Sequence, residues 1–214
     1  MAQTIKDILL KFSPINSLRT ARKKRKALQE VKEWEKLGRP VPPPHAIKQQ
    51  NLLHYATTYN LNILVETGTF NGDMVEAMKN YFDEIYSVEL SQSLFNKAKI
   101  RFKSQKNVFL IHGDSGDELR TITQRIDKPT LFWLDGHYSG GETALGEKDT
   151  PVLEELNCIL DSSALKHVII IDDARLFGSD LSYPTIEELK NVVTSKRNDL
   201  DITIDDDSIR ITPK

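Results

Sequence analysis

The stretch "LVETGTFNGD", residues 64–73, decides the fold. An apolar run leads into Glu66, and Gly68 and Gly72 follow within seven residues. Met74, Val75, Ala77 and Met78 then continue with helical spacing. The pattern is a strand, a glycine turn and a helix. A phosphate-cradling P-loop needs G-x-x-x-x-G-K-[ST], and no such string occurs in the chain. The dinucleotide fingerprint G-x-G-x-x-G fails as well, because the spacing is Glu66-x-Gly68-x-Phe70-x-Gly72. A carboxylate at the strand end would repel a pyrophosphate approaching the helix N-terminus. A cationic ligand without phosphate would tolerate it.

Outward from this turn, short apolar runs alternate with helical patterns. The runs are 62–65, 85–88, 108–111, 131–134 and 168–171, and helices are expected near 73–80, 91–104, 115–125, 150–161 and 185–197. Thr150-Pro151 and the capping box Thr185 to Glu188 mark two helix starts. Alternation of this kind calls for a mostly parallel sheet covered on both faces. The last fourteen residues, "DITIDDDSIRITPK", read instead as an antiparallel hairpin turning at 205–208. The expected fold class is therefore α/β: a Rossmann-like, doubly wound, seven-stranded sheet, mostly parallel with a C-terminal antiparallel hairpin, plus a helical N-terminal extension. "GRPVPPPHA", residues 38–46, with four prolines in five positions, sets the boundary between an extension at 1–44 and a domain at 45–214.

The glycine turn resembles that of the class I S-adenosylmethionine-dependent methyltransferases, whose usual form is [DE]-x-G-x-G-x-G; the resemblance covers roughly residues 45–212. This chain departs at the middle glycine, which is Phe70, as in the catechol O-methyltransferase branch. S-adenosylmethionine carries a sulfonium and an ammonium and no phosphate, which suits Glu66. The resemblance implies a cofactor site at Glu66, Gly68, Thr69, Phe70 and Gly72. Glu89 ends the second strand about 20 residues beyond the turn, where a carboxylate accepts from both ribose hydroxyls. Asp114 and Ser115, in the loop that lies against adenine in this family, are further candidates. Asp114 as a plain helix cap is an equal reading.

The fourth run ends in Asp135 and the fifth in Asp172 and Asp173. Ligands of an open parallel sheet bind outside the carboxyl ends of its strands, which puts these acids on one rim. Three carboxylates brought together repel unless something neutralises them, and a hard divalent cation, Mg²⁺ above all, is the natural counter-charge. The arrangement resembles the metal-dependent O-methyltransferases of the catechol and macrocin types, and implies Asp135, Asp172 and Asp173 as metal ligands. Capping or pairing with Arg175 is the plainer reading of the Asp-Asp pair. His137 and Asp135 are the catalytic candidates, His137 as general base; a supporting hydrogen bond from His137 to a ligating carboxylate is the alternative. The catechol type has a lysine three residues beyond its acid, where this chain has Tyr138. His112 and His167 look like strand-flanking residues. The glycine-rich insert at 139–150 would wall the acceptor site.

Composition fits these expectations. The 214 residues, 39% hydrophobic and 28% charged, are ordinary for a globular chain that can bury a real core. The single cysteine, Cys158, lies among apolar residues as a structural thiol and fits a reducing compartment. No run approaches the ~18 apolar residues of a membrane span, and no signal-peptide pattern is present, so a cytoplasmic protein is expected. Residues 1–50 hold twelve Lys/Arg against four Asp/Glu, and the remainder holds seventeen against twenty-seven. The basic excess centres on "RTARKKRK", residues 19–26. A solvated helix face leading into Leu28, Val31, Trp34 and Leu37 explains it most simply. A peripheral contact at the inner membrane surface through residues 5–26 stays open, as does a homo-oligomer. Nucleic acid is set aside, because the acidic rim would repel phosphates and residues 135–138 lack the [ND]-P-P-[YFW] motif of amino-methylating enzymes. A hydroxyl-bearing small molecule, sugar or glycan is the expected substrate. Metal-independent transfer on the same fold, and a silent scaffold, are the alternatives.

Overall fold

The computed structural model describes residues 18–135, 151–162 and 165–214. Contacts divide the chain into two units, Met1–Pro40 and Val41–Lys214. In the first, helix α1 (Leu18–Lys36) carries the cations at 22–26. Val31 and Trp34 are buried, whereas Leu37, which the three-residue spacing placed on the same stripe, is 76% exposed. The helix has ended by then. The indole Nε1 of Trp34 donates to the carbonyl of Pro40 at 2.7 Å, and the Arg39 guanidinium lies 5.4 Å from the indole centre. Of the 5–26 segment proposed for membrane contact, residues 5–17 lie outside the described residues.

The second unit opens with α2 (His45–Thr58), a helix with no counterpart in the sequence reading. It has no side-chain cap and no acid in its first turn. Its buried residues, Ile47, Leu52 and Leu53, do not repeat every three or four positions. The start and periodicity signals are therefore both missing. The remaining elements follow the expected alternation: β1 (Ile63–Thr67), α3 (Asp73–Met78), β2 (Glu84–Glu89), α4 (Gln92–Phe102), β3 (Val108–His112), α5 (Ser115–Arg125) and β4 (Leu131–Leu134). Then come α6 (Val152–Ser162), β5 (Val168–Ile171), a 3-10 turn at Ala174–Leu176, α7 (Ile186–Lys196), β6 (Leu200–Asp205) and β7 (Ser208–Pro213).

Local chemistry sets the helix ends. Ser91 caps α4, whose Leu94, Ala98 and Phe102 are buried at four-residue spacing. Thr185 and Glu188 form the reciprocal capping box of α7, the Thr185 nitrogen donating to Glu188 at 2.7 Å and the Glu188 nitrogen to Thr185 Oγ1 at 3.1 Å. Such a cap is worth about 1 kcal/mol. Thr150, the expected start of α6, lies outside the described residues.

The strands form one sheet in the order β3-β2-β1-β4-β5-β7-β6. β1 to β5 are parallel, and β7 joins β5 antiparallel. The β6–β7 turn places Asp206 and Asp207 at φ of 46° and 59°, the left-handed pair of a two-residue hairpin. Alternation along the strands sorts the two faces. Val65, Phe132, Leu134, Ile169 and Ile171 join Leu119, Leu156 and Val193 from α5, α6 and α7 in one core cluster. Leu64, Leu131, Trp133 and Ile170 are fully or almost fully buried on the opposite face. Glu66 and Asp172 share the parity of that second face. No helix of the described residues is long and apolar enough to cross a membrane.

Candidate functional site

The chain order reverses between β1 and β4, and this switch point opens a crevice at the carboxyl ends of the strands. Glu66 stands there, in register with Ser87 of β2 and Trp133 of β4. After it, Gly68, Phe70 and Gly72 adopt φ of 83°, 48° and 74°. Three left-handed residues in five explain the glycines, and a Cβ on Gly72 would meet the Phe102 ring at 2.6 Å. Phe70 tolerates this conformation at a cost of roughly 1 kcal/mol and leaves its ring 49% exposed. The amides of Gly68 and Thr69 both donate to the Val88 carbonyl, at 3.0 and 3.1 Å, which ties the turn to the end of β2.

Glu89 organises what lies around that turn. Its Oε2 accepts from the Phe70 nitrogen at 2.7 Å and its Oε1 from the Ser91 nitrogen at 2.8 Å. The carboxylate therefore bridges the glycine turn and the start of α4. Each oxygen keeps lone-pair capacity for a ligand hydroxyl. On the next strand, Asp114 caps α5, its Oδ1 accepting from Gly116 at 2.9 Å, and Ser115 begins the helix. The capping reading of Asp114 thus describes one of its oxygens.

Glu66 is buried in a chain of hydroxyls. Ser87 Oγ donates to Glu66 Oε2 at 2.5 Å and lies 2.6 Å from Thr69 Oγ1. Since Ser87 spends its only proton on Glu66, the Thr69 hydroxyl is the donor of the second contact. Burial pushes the Glu66 carboxyl up to about 8; the Ser87 hydrogen bond opposes this and the charge of Glu89 adds to it. The unfolded carboxyl releases its proton near 4.5. Between these values the folded state holds more protons, so stability is greatest below the lower one and falls as pH rises toward the higher, by several kcal/mol in order of magnitude. A melting series across this window should show the decline in the ligand-free protein, and Glu66→Gln should flatten it. An unchanged slope in the variant would refute the assignment. A cationic ligand at Glu66 would favour its ionised form, so the affinity of any such ligand should strengthen over the same window.

The second half of the site is the acidic rim. The Asp135 nitrogen donates to the Thr67 carbonyl at 3.2 Å, and the Asp172 nitrogen to that of Leu134 at 3.0 Å. These bonds continue the sheet ladder, so both acids project from neighbouring strand ends. Asp173 adopts the left-handed conformation, φ 55°. Its Oδ1 accepts from Arg175 at 2.7 Å, and Arg175 also pairs with Asp207. Lys48 of α2 donates to Asp172 Oδ2, and its Nζ lies 3.7 Å from Asp173 Oδ1. Burial lowers the Lys48 pKa most, but the charge and hydrogen bond of Asp172 together with the charges of Asp135 and Asp173 outweigh it, and the ammonium is held above its ordinary value. Asp172 is raised by burial first, with Lys48 opposing and Asp173 adding. Its Oδ1 is buried with no hydrogen-bond partner among the described residues. The phenol of Tyr183 is likewise pushed up by burial, then by Asp173 and Asp135.

The structure therefore gathers Glu66, Gly68, Thr69, Phe70, Gly72 and Glu89 about one turn, and Asp135, Asp172 and Asp173 about the adjoining strand ends. His137 and the 139–150 insert lie outside the described residues. Lys48 and Tyr183 were missed. The proline run before α2 was the one available signal for a helix carrying Lys48. His167 accepts from the Thr130 nitrogen at 3.1 Å and is held neutral, its pKa lowered to about 4 by burial, while His112 meets the Leu90 carbonyl at 3.1 Å; both are structural. Cys158 is half-buried, donates to the Gly116 carbonyl at 3.4 Å and is pushed up by burial, as befits an unreactive thiol.

No protein-family model matches the chain, and no curated protein matches it. Solved structures do. An O-methyltransferase from Bacillus cereus in complex with S-adenosylhomocysteine matches with a TM-score of 0.61 at 14% identity, over 99% of this chain and 96% of that one. TomG of Streptomyces achromogenes, an O-methyltransferase of tomaymycin synthesis bound to S-adenosylmethionine, matches at 0.58 and 16%, over 87% and 88%. The S-adenosylhomocysteine-bound methyltransferase PaMTH1 of Podospora anserina matches at 0.57 and 17%, over 95% and 98%. With the strand order, the glycine turn and the terminal hairpin, these likenesses show that the chain has the class I S-adenosylmethionine-dependent methyltransferase fold.

Proposed function

We propose that residues 45–214 form an S-adenosylmethionine-dependent O-methyltransferase domain acting on a hydroxyl of a sugar, glycan or related small metabolite. The observation that carries this reading is the shared rim: buried Glu66 and the Glu89-braced turn stand beside Asp135 and Asp172 on adjacent strands. Glu66 suits the cationic amino-acid part of the cofactor and Glu89 the ribose hydroxyls. Asp135, at the end of β4 beside these glutamates, is proposed to meet the acceptor. S-adenosylmethionine bound there would supply the methyl group, which the acceptor oxygen would take as the carbon–sulfur bond breaks and its electron pair stays on sulfur. The hydroxyl proton passes to a base, for which His137 is proposed, with Asp135 orienting it. A positioned base is worth about 10²–10⁴-fold. His137→Ala should lower turnover by about that factor and leave S-adenosylhomocysteine affinity unchanged; equal turnover would remove His137 from the role.

The carboxylates Asp135, Asp172 and Asp173 have the chemistry to hold Mg²⁺, which would lower the acceptor's pKa. Their arrangement does not fit one. Lys48 holds Asp172, Arg175 holds Asp173, and no group of three or more His, Cys, Asp or Glu side chains converges for a metal among the described residues. The transfer is accordingly read as proceeding through the chain's own groups. The basic run at 19–26 supports a peripheral contact of residues 5–26 with anionic lipid at the inner membrane surface, on charge alone. Transfer of a labelled methyl group from S-adenosylmethionine to polyols tests the function. Label on a polyol oxygen supports it; transfer only to amine acceptors offered beside the polyols contradicts it.

A further inference from the structure

We infer that the Lys48 ammonium is the resident cation of the strand-rim carboxylates, standing where a divalent ion would sit, so that the site excludes metal. The inference rests on the rim geometry and adds to the methyltransferase reading a metal-independent mechanism. Lys48 donates to Asp172 Oδ2 and lies 3.7 Å from Asp173 Oδ1, so one ammonium serves both carboxylates. Its side chain is 17% exposed and that of Asp172 is 2% exposed, which makes this an enclosed pair and not a surface contact.

The helix that delivers Lys48 is fixed. Ile47, Leu52 and Leu53 of α2 are buried, and Tyr55, two turns on, lies under the Arg210 guanidinium of β7 at 5.6 Å. The ammonium is thus presented by a packed element. Mg²⁺ needs oxygen ligands at about 2.0–2.1 Å in near-octahedral order. It could not share Asp172 Oδ2 with an ammonium already bound there, and Asp173 Oδ1 is also taken by Arg175 at 2.7 Å. A divalent ion added beside Lys48 and Arg175 would be repelled by both across a poorly screened interior. With Lys48 and Arg175 in place, the formal charge of Asp135, Asp172, Asp173 and Asp207 is halved without any ion.

The test uses the full chain and Mn²⁺ as the probe, read by electron paramagnetic resonance and calorimetry, with melting temperature in Mn²⁺ and in chelator beside them. Wild type and Lys48→Arg should take up no Mn²⁺ at millimolar concentration and melt at the same temperature in both buffers. Lys48→Met removes the charge at similar volume and should gain Mn²⁺ binding, melting several degrees higher in Mn²⁺ than in chelator. Stoichiometric Mn²⁺ uptake by wild type that Asp172→Asn abolishes would overturn the inference. So would a folded Lys48→Met that gains nothing. Should Lys48→Met fail to fold in chelator, recovery of the fold in Mn²⁺ supports the inference, and no recovery opposes it. None of these readouts requires turnover, so failure of the methyltransferase reading would show separately, as absence of cofactor binding.

Discussion

Glu89→Ala should weaken S-adenosylhomocysteine binding by about two orders of magnitude or more, the largest expected effect of a single substitution on cofactor affinity. The carboxylate has two duties, and the variant loses both. It accepts from the backbone nitrogens of Phe70 and Ser91 at 2.7 and 2.8 Å, which fixes the glycine turn against α4. It is also the acid proposed to accept from the ribose hydroxyls. Hydrogen bonds to a charged acceptor contribute roughly 1.5–3 kcal/mol each. Loss of two ligand contacts therefore amounts to about a hundredfold or more, before any loosening of the turn. Calorimetric titration measures the affinity, and circular dichroism with a melting curve checks that the fold persists. Binding within threefold of wild type, in roughly the scatter of one weak contact, would show that Glu89 only braces the turn.

Asp172→Ala carries the largest expected loss of stability, about 3 kcal/mol, together with loss of turnover. The Asp172 side chain is 2% exposed and its partner Lys48 17% exposed, so the pair is shielded from solvent screening. Removing one member of such a pair leaves the other charge uncompensated in a poorly solvated place. Asp173, at 3.7 Å from Lys48 and already engaged by Arg175, offsets only part of this. Denaturant titration gives the stability, and methyl transfer in saturating cofactor gives the activity. A variant as stable as wild type would mean that the Lys48 contact contributes nothing to the fold.

Much of this architecture was legible in the residues, for identifiable reasons. The strands β1, β4 and β5 are buried at every position, so they read as continuous apolar runs between helical patterns, and Leu131–Leu134 and Val168–Ile171 appear with their observed ends. The hairpin was legible because β6 and β7 flank a two-residue acidic turn in left-handed conformation. The strand, glycine turn and helix around Glu66 were legible too, because Glu66 and the glycines are local in sequence and Gly68 and Gly72 answer to a backbone requirement. What escaped was non-local. Helix α2 has neither cap nor periodicity, and Lys48 meets Asp172 across 124 positions of chain. Three acids on one rim demand a counter-charge, and a sequence does not say whether it comes from solution or from another element. Here α2 supplies it. The stripe through Leu37 failed for a simpler reason, since helix α1 ends one residue earlier.

In the proposed function, the turn between β1 and α3 holds S-adenosylmethionine through Glu66 and Glu89, and the neighbouring acids need no metal to let it bind. Calorimetric titration of S-adenosylhomocysteine into the purified protein, first with Mg²⁺ and then with chelator, tests it most directly. The account predicts micromolar binding of equal strength in both. No binding under either condition would contradict it and leave a scaffold with a methyltransferase fold.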